Sequence, residues 1–561
     1  MTGSPMSRDT PALEDAAPRL ADSVCIESAA NGEHWLVSVD GVPVSRASST
    51  VAATLRAMDG KASLDALRRR FAPDQTPEEF AALADRFRRA GLLHGSERRT
   101  AGRVTYRPPL TIQFATLRAP RLFDRLHRLV RPLLRGWAVW PLAALIVGGL
   151  VFLGLQAADA VAALTSPLPL LDVVIVALVL VFATFVHEAA HGVTLTHSGG
   201  RPRRAGLMLL YLGPAFFVDV TDAWRLPSRA SRVRVALAGP AVHAALAGAA
   251  ALCALAAPDP DGRRSLLVLS CACVAVVALN LLPFVRFDGY IALMSALDEP
   301  NLRARALADA ADALRRGLFG GAPGHRALAR WWSVPFGVLS ALVPVVLVGA
   351  AIERTVRALA GTGPVGALVV LALLTAVAVA VGVVVVRWLL VGWTRGRGRA
   401  RFVLVTLAVA ATVLGVAVAI PVDDTRTLGF TSTGGRIELV VPVGEVDDDA
   451  LPIGLPVDLT TRGLLADAVV AQGITRGAPS RTVTAPLTAF SPVDVRGLEV
   501  AARAIGTVDA PVVTIPASGR AVVHLGSRSL LETVWSTHVV DPASVLISLF
   551  GPPLSDTKES R

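Results

Sequence analysis

The chain predicts a mainly α protein: a polytopic membrane helical bundle of about seven spans, with an N-terminal winged-helix-like domain and a C-terminal all-β extracytoplasmic domain. Three observations carry that expectation. Of 561 residues, 53% are hydrophobic and only 18% charged, whereas soluble domains carry about a quarter charged residues. Seven apolar runs are each close to the ~20 residues that a bilayer crossing needs. The stretches before and after those runs are polar and differ from them in charge. Four cysteines, three of them inside apolar runs, exclude a disulfide scaffold and lack the paired spacing of a zinc ribbon. The formal net charge of +11 is almost all arginine, since Lys61 and Lys558 are the only lysines.

Residues 1–97 carry a net charge of −3 and no apolar signal-peptide core near Met1, so this end is expected to stay in the cytoplasm. His34–Asp40 alternates like a strand and runs into a Gly-Val-Pro turn. Thr50–Met58 and Ser63–Phe71 read as helices separated by Asp59-Gly60. Thr76-Pro77-Glu78-Glu79 starts a third, with Thr as N-cap, Pro at N1 and Glu at N3, and Phe80, Leu83, Phe87 and Leu92 mark its apolar face. A few strands followed by three short helices is the shape of a winged helix.

Residues 98–135 hold ten arginines and one acid, Asp124, a net charge of +9. Such a stretch can contact nucleic acid, but ahead of an apolar span it reads as an arginine-rich juxtamembrane segment facing lipid. The membrane block, 136–420, follows with spans at Ala138–Ala158, Val173–Thr196, Val235–Ala257, Ser265–Leu282, Val334–Ile352, Val365–Val386 and Phe402–Ile420. Arginines crowd the loops after the second, fourth and sixth spans, and the alternate loops are poor in them. By the positive-inside rule the N-terminus is cytoplasmic and, with seven spans, the C-terminus is outside. Residues 421–561, with a net charge of −5, read as an outer β domain with strands at Arg436–Val443, Arg481–Phe490, Val512–Ile515 and Ala521–Leu525. No block calls for a nucleic-acid partner.

The chemistry concentrates in the second span, at His187-Glu188-Ala-Ala-His191-Gly192. On a helix the two histidines lie one turn apart on one face, where both imidazoles can hold one metal ion, with Glu188 beside them to serve water. Ionisable groups at such depth are functional by default. A catalytic zinc usually takes a third protein ligand. His197 has the spacing of a soluble metalloprotease pattern, but Thr194 stands where that pattern needs Gly, and His197 sits in a Ser-Gly-Gly exit from the span. Asp288 is the better candidate. It follows the fourth span in Asn280-Leu-Leu-Pro283-Phe-Val-Arg-Phe287-Asp288-Gly289, where Pro283 breaks the helix and Asp288-Gly289 reads as a turn carrying a carboxylate at membrane depth; alternatively Asp288 caps the next helix.

These motifs together resemble the site-2 protease family of intramembrane zinc metalloproteases, with the family's spacing from Asn280 to Asp288. The wider context, Leu209-Leu-Tyr-Leu-Gly-Pro, Val218-Asp219-Val-Thr-Asp222-Ala-Trp224-Arg225, Leu237-Ala-Gly239-Pro240 and Arg286-Phe-Asp-Gly-Tyr290, is similar to the peptide zinc metalloprotease branch. The resemblance covers residues 180–305. It implies one catalytic Zn2+ held by His187, His191 and Asp288, with Glu188 activating water. Asn280 is then a candidate donor to the substrate backbone or the oxyanion, and Pro283 and Gly289 shape a wet cavity. His243 stands where many relatives carry Asn, as a group behind the ligands, a substrate-facing group or a packed histidine.

Residues 1–97 resemble the PqqD-like winged helix that binds precursor leader peptides, and 421–561 faintly resemble HlyD-type adaptor barrels through Ser518–Gly526. The implied activity is a zinc metalloendopeptidase near the cytoplasmic membrane face, maturing a ribosomally made modified peptide, as in daptide-type pathways, with an exporter as a further partner. Two alternatives stay open: cleavage of a membrane-bound regulator, and a non-catalytic peptide-binding or export accessory with a structural metal.

Overall fold

The computed structural model describes residues 17–28, 35–96, 104–107, 111–116, 118–210, 213–320, 326–328, 330–359, 363–395, 399–443, 451–511 and 515–547. His34, Tyr211, Leu212 and Val512 to Thr514, which entered the expectations above, lie outside the described residues, as do parts of the arginine-rich stretch. Two compact units emerge: Met1–Val147 with Leu180–Leu246 and Cys273–Pro300, and Gly148–Val179 with Ala247–Ala272 and Asn301–Arg561.

The first unit begins with an antiparallel sheet of β1 (Val24–Ser28), β2 (Trp35–Val39) and β3 (Val42–Ala47), in that order. The turn expected at Gly-Val-Pro lies one residue earlier. Asp40 (φ 49°) and Gly41 (φ 70°) form a two-residue hairpin loop, as a right-twisted hairpin requires. Val42 and Pro43 belong to β3, an edge strand that tolerates a missing N–H. Helices α1 (Ser49–Arg56), α2 (Leu64–Phe71) and α3 (Pro77–Arg89) follow. Thr76 and Glu79 close the expected capping box on α3, with Pro77 in its first turn. Val37, Leu55, Met58, Leu67, Phe80 and Phe87 pack into one core.

The arginine-rich stretch is more structured than its composition suggests. It contributes β4 (Val104–Arg107), β5 (Thr111–Thr116) and the amphipathic helix α4 (Ala119–Val130). Beyond it come α5 (Val139–Leu155), α6 (Ala157–Thr165), β6 (Leu168–Pro169), α7 (Leu170–His197), β7 (Ala205–Leu210) and β8 (Gly213–Val218). The helices α8 (Arg229–Ala256), α9 (Pro260–Asn280), α10 (Asp288–Leu297), α11 (Leu302–Phe319), α12 (Ser333–Leu359), α13 (Gly363–Arg395) and α14 (Arg399–Ala419) complete the block. Seven of these segments, Gly136–Leu155, α7, α8, α9, Ser333–Val356, Gly363–Thr394 and α14, are long and apolar enough to cross a membrane. They coincide with the seven apolar runs, and the chain is a multi-pass membrane protein by that measure.

In the first unit, β4, β5, β7 and β8 form an antiparallel sheet in that order, so β8 is an edge among the described residues. Arginines that the sequence offers only as orientation signals have local partners here. Arg203 donates to the carbonyls of Asp40 and Gly41, and Arg225 donates to Gly41 O at 3.0 Å. Asp298, at the end of α10, receives Arg46 at 2.6 Å and Arg232 at 2.5 Å, with Arg229 at 3.6 Å, and Arg46 and Arg232 flank the ring of Trp224. Burial alone would raise the Asp298 carboxyl, but the guanidinium of Arg46, with Arg232 and Arg229, holds it below the usual carboxylate range. A carboxylate depressed in the fold contributes stability above its unfolded pKa, and that stability is lost as pH falls through the lower folded value. Asp298→Ala leaves the buried guanidiniums of Arg46 and Arg232 without their carboxylate and should lower the stability of the unit by about 3 kcal/mol, measured as a fall in the unfolding midpoint at neutral pH that shrinks in strong acid.

In the second unit, β9 (Pro421–Thr433), β10 (Arg436–Pro442), β11 (Pro456–Thr460), β12 (Val469–Arg476), β13 (Arg481–Pro486), β14 (Val493–Asp494), β15 (Glu499–Asp509) and β16 (Ser518–Ser529) build a β-barrel domain. The order β10-β9-β16-β11-β12-β15 closes on itself through β10 and β15, and β13 extends along β15 beyond β12. Phe430, Leu439, Leu459 and Val523 fill the core. The short strand β14 pairs with β6, which ties the barrel to the turn before α7. The expectation of an all-β C-terminus is corrected: α15 (Leu530–Trp535) and α16 (Asp541–Ile547) follow the last strand. Ser529 and Glu532 form a capping box that starts α15, a signature legible in the sequence and passed over there.

Candidate metal centre

Helix α7 has a long apolar stretch of high hydropathy and stops where Gly199 (φ 92°) takes a left-handed conformation that lets the chain turn away. Its fourfold spacing puts His187 and His191 on one face, and both are 5% exposed. Their Nε2 atoms approach to 3.2 Å. Nitrogens sharing one tetrahedral zinc at bonds of about 2.0–2.1 Å sit roughly 3.3 Å apart. Asp288 joins them, with Oδ2 3.0 Å from His187 Nε2 and Oδ1 3.4 Å from His191 Nε2. One ligand atom from each of the three residues lies within 4.8 Å of the others.

Two observations test whether these residues fit a metal. Asp288 Oδ2 is buried and faces no donor besides His187 Nε2 at 3.0 Å, an arrangement that is costly unless a proton or a cation answers it. Gly239 on α8 faces both histidines, and a Cβ built there would collide with both Nε2 atoms. The space between the ligands is thus kept open by the missing side chain. The donor set of two imidazoles and one carboxylate suits zinc with a further position for water.

The other ring nitrogens are also engaged. His191 Nδ1 lies 2.7 Å from Val235 O, which can only accept, so Nδ1 carries the proton and Nε2 presents its lone pair to the cluster. His187 Nδ1 lies 3.3 Å from His243 Nδ1, and His243 is 1% exposed. If His187 ligates through Nε2, its Nδ1–H donates to His243, whose own proton then sits on Nε2. Val235, Gly239 and His243 recur every four residues, so one stripe of α8 backs the ligands. That spacing was the available signal for the roles of Val235 and His243, which the motifs did not assign. His243→Phe should weaken zinc affinity by about 10–100-fold, read by chelator competition; unchanged affinity would make His243 a packed residue only.

Glu188 lies beside the cluster, and its Oε2 accepts the Val218 N–H at 3.2 Å. Since Asp219 N–H bonds Arg204 O on β7, the alternate groups of β8, Val218 among them, point to the free edge. Sequence reasoning missed this strand because Gly213-Pro214 opens it.

The remaining expected residues are arranged differently. Asn280 Nδ2 donates to Val276 O, one turn back on its own helix, and no hydrogen bond joins it to the cluster. Pro283 follows the end of α9, as expected. Asp288-Gly289 is not a free turn: both residues open α10, and Phe287, rather than Asp288, is the cap, without a side-chain capping bond. Gly289 is needed for close approach, since a Cβ would collide with the backbone of Leu281. His197 is apart from the cluster, with Nδ1 3.1 Å from His127 Nε2.

Comparison of the chain with protein-family models, with curated proteins and with solved structures finds no match.

Proposed function

We propose that this chain is an intramembrane zinc metallopeptidase of the site-2 type that hydrolyses a peptide bond near the cytoplasmic face. The observation that carries the reading is the convergence of His187, His191 and Asp288 within 4.8 Å, with Glu188 one residue from the first ligand. His187, His191 and Asp288 would hold the metal through Nε2, Nε2 and carboxylate oxygen. Zinc, when bound, supplies a Lewis acid that acidifies water and polarises the scissile carbonyl. Glu188 takes the proton of the attacking water and delivers it to the leaving amine. The Val218 N–H fixes the carboxylate for that transfer. An extended peptide pairing with the free edge of β8 brings its main chain alongside Glu188.

The substrate in this proposal is a ribosomally made precursor peptide. The three-stranded sheet followed by three helices in residues 24–89 supports a PqqD-like winged helix that captures its leader, and the arginine-rich loops support a cytoplasmic N-terminus with an extracytoplasmic, HlyD-like barrel. Purified protein is expected to carry about one zinc per chain and a chelator-sensitive peptidase activity. Protein without zinc at full occupancy of a functional preparation, or activity that survives complete zinc removal, would sink the proposal.

A further inference from the structure

Neither the metal cluster nor the arginine clamp on Asp298 uses the basic stretch ahead of the first span. Its helix α4 is two-sided. On the inner side Ala119 and Phe123 pack with Val193 and Ala205, and Leu126, Val130, Ala189 and Val218 lie against that cluster. The Phe123 ring rests on Gly192 so closely that a Cβ there would collide with it. Along the flank of that face Leu122 and Leu129 are 52% and 77% exposed, and in the turns after the helix Leu133 and Trp137 are 68% and 61% exposed, with arginines between them in the sequence. Water gives such a row of apolar side chains no stabilisation. Where the helix begins, Thr116, Arg118, Arg121, Leu122 and Arg125 line a depression of about 320 Å³. Among the described residues no carboxylate pairs with Arg118, Arg121 or Arg125.

We infer that α4 is an interfacial helix and that this depression binds the phosphate of an anionic phospholipid. Guanidinium forks match the paired oxygens of a phosphodiester, and three of them without an internal acid leave positive charge to be answered from outside. The exposed leucines and Trp137 supply the apolar contact that a free phosphate ion has no use for, and Trp137 suits the headgroup level. The chain enters its first span at Gly136, so α4 is held at the bilayer surface by continuity. The inner face then gives the lipid a structural role. The helix it seats is the one that packs on Gly192, next to His191, and on Val218, the backbone donor to Glu188. The inference is independent of the peptidase reading and requires only that the spans lie in a bilayer.

The test uses the full chain in nanodiscs of phosphatidylcholine with graded phosphatidylglycerol, with retained lipid counted by native mass spectrometry. The parent is expected to retain phosphatidylglycerol over phosphatidylcholine by at least about tenfold. The combined Arg118→Gln, Arg121→Gln and Arg125→Gln variant should lose that preference. Arg128→Gln, whose guanidinium bonds Asp124 O at 3.4 Å, should keep it, and added inorganic phosphate should leave retention unchanged. Undiminished preference in the triple variant, equal loss in Arg128→Gln, or displacement of the lipid by inorganic phosphate would each overturn the inference. If the triple variant fails to fold, by size-exclusion profile and thermal midpoint, Arg121→Gln alone takes its place, with an expected loss of about fivefold.

Discussion

Glu188→Gln is expected to keep zinc and to lose the proposed peptidase activity. The amide has the size of the carboxylate, and its oxygen still accepts the Val218 N–H that holds Glu188 at 3.2 Å. What it cannot do is take a proton from water. Removal of a positioned general base slows turnover by about 10²–10⁴-fold, while His187, His191 and Asp288 remain in place to bind metal. Elemental analysis and single-turnover cleavage on the same preparation check the two halves separately. Full cleavage by the variant would falsify the assignment of Glu188, and loss of zinc together with cleavage would make it a structural residue of the cluster.

Gly239→Ala is expected to lose most of its zinc. The added methyl meets the Nε2 atoms of both His187 and His191, which are the groups that must converge on the ion. The helix itself tolerates alanine better than glycine, by roughly 1 kcal/mol, so the expected result is a folded protein with little zinc and no activity. Its zinc content falls by at least about tenfold, while the thermal midpoint of the metal-free protein stays near that of the metal-free parent. Zinc at parental occupancy in Gly239→Ala would show that the ion, if bound, lies elsewhere.

The seven spans were legible because twenty apolar residues in a row have few other uses, and the α3 start because Thr76, Pro77 and Glu79 each supply a distinct capping contact. The histidine pair was legible for the same local reason: a spacing of four on a helix fixes a shared face. The parts missed depend on contacts between distant segments. Nothing in Gly213-Pro214 announces an edge strand beside Glu188. The arginine clamp on Asp298 joins residues from three parts of the chain, and local pattern could read Arg229 and Arg232 only as loop charge. Asp288-Gly289 was misread as a turn because glycine serves two purposes. Here it gives up a side chain so that α10 can touch the backbone of Leu281, with no unusual φ required. Asn280 illustrates the reverse case, since a motif position fixed its identity while the fold turned its amide back onto Val276.

The proposed metal ligands come from segments nearly a hundred residues apart, His191 on α7 and Asp288 at the start of α10. During synthesis the two histidines therefore emerge long before the carboxylate that completes the set. A nascent chain that has inserted only its first spans holds an incomplete site, and with two ligands its grip on zinc is weak. On the proposed reading the site is complete only with the start of α10, after the residues that back the cluster, Val235, Gly239 and His243, have been made. On that reading assembly order keeps the half-made protein inert.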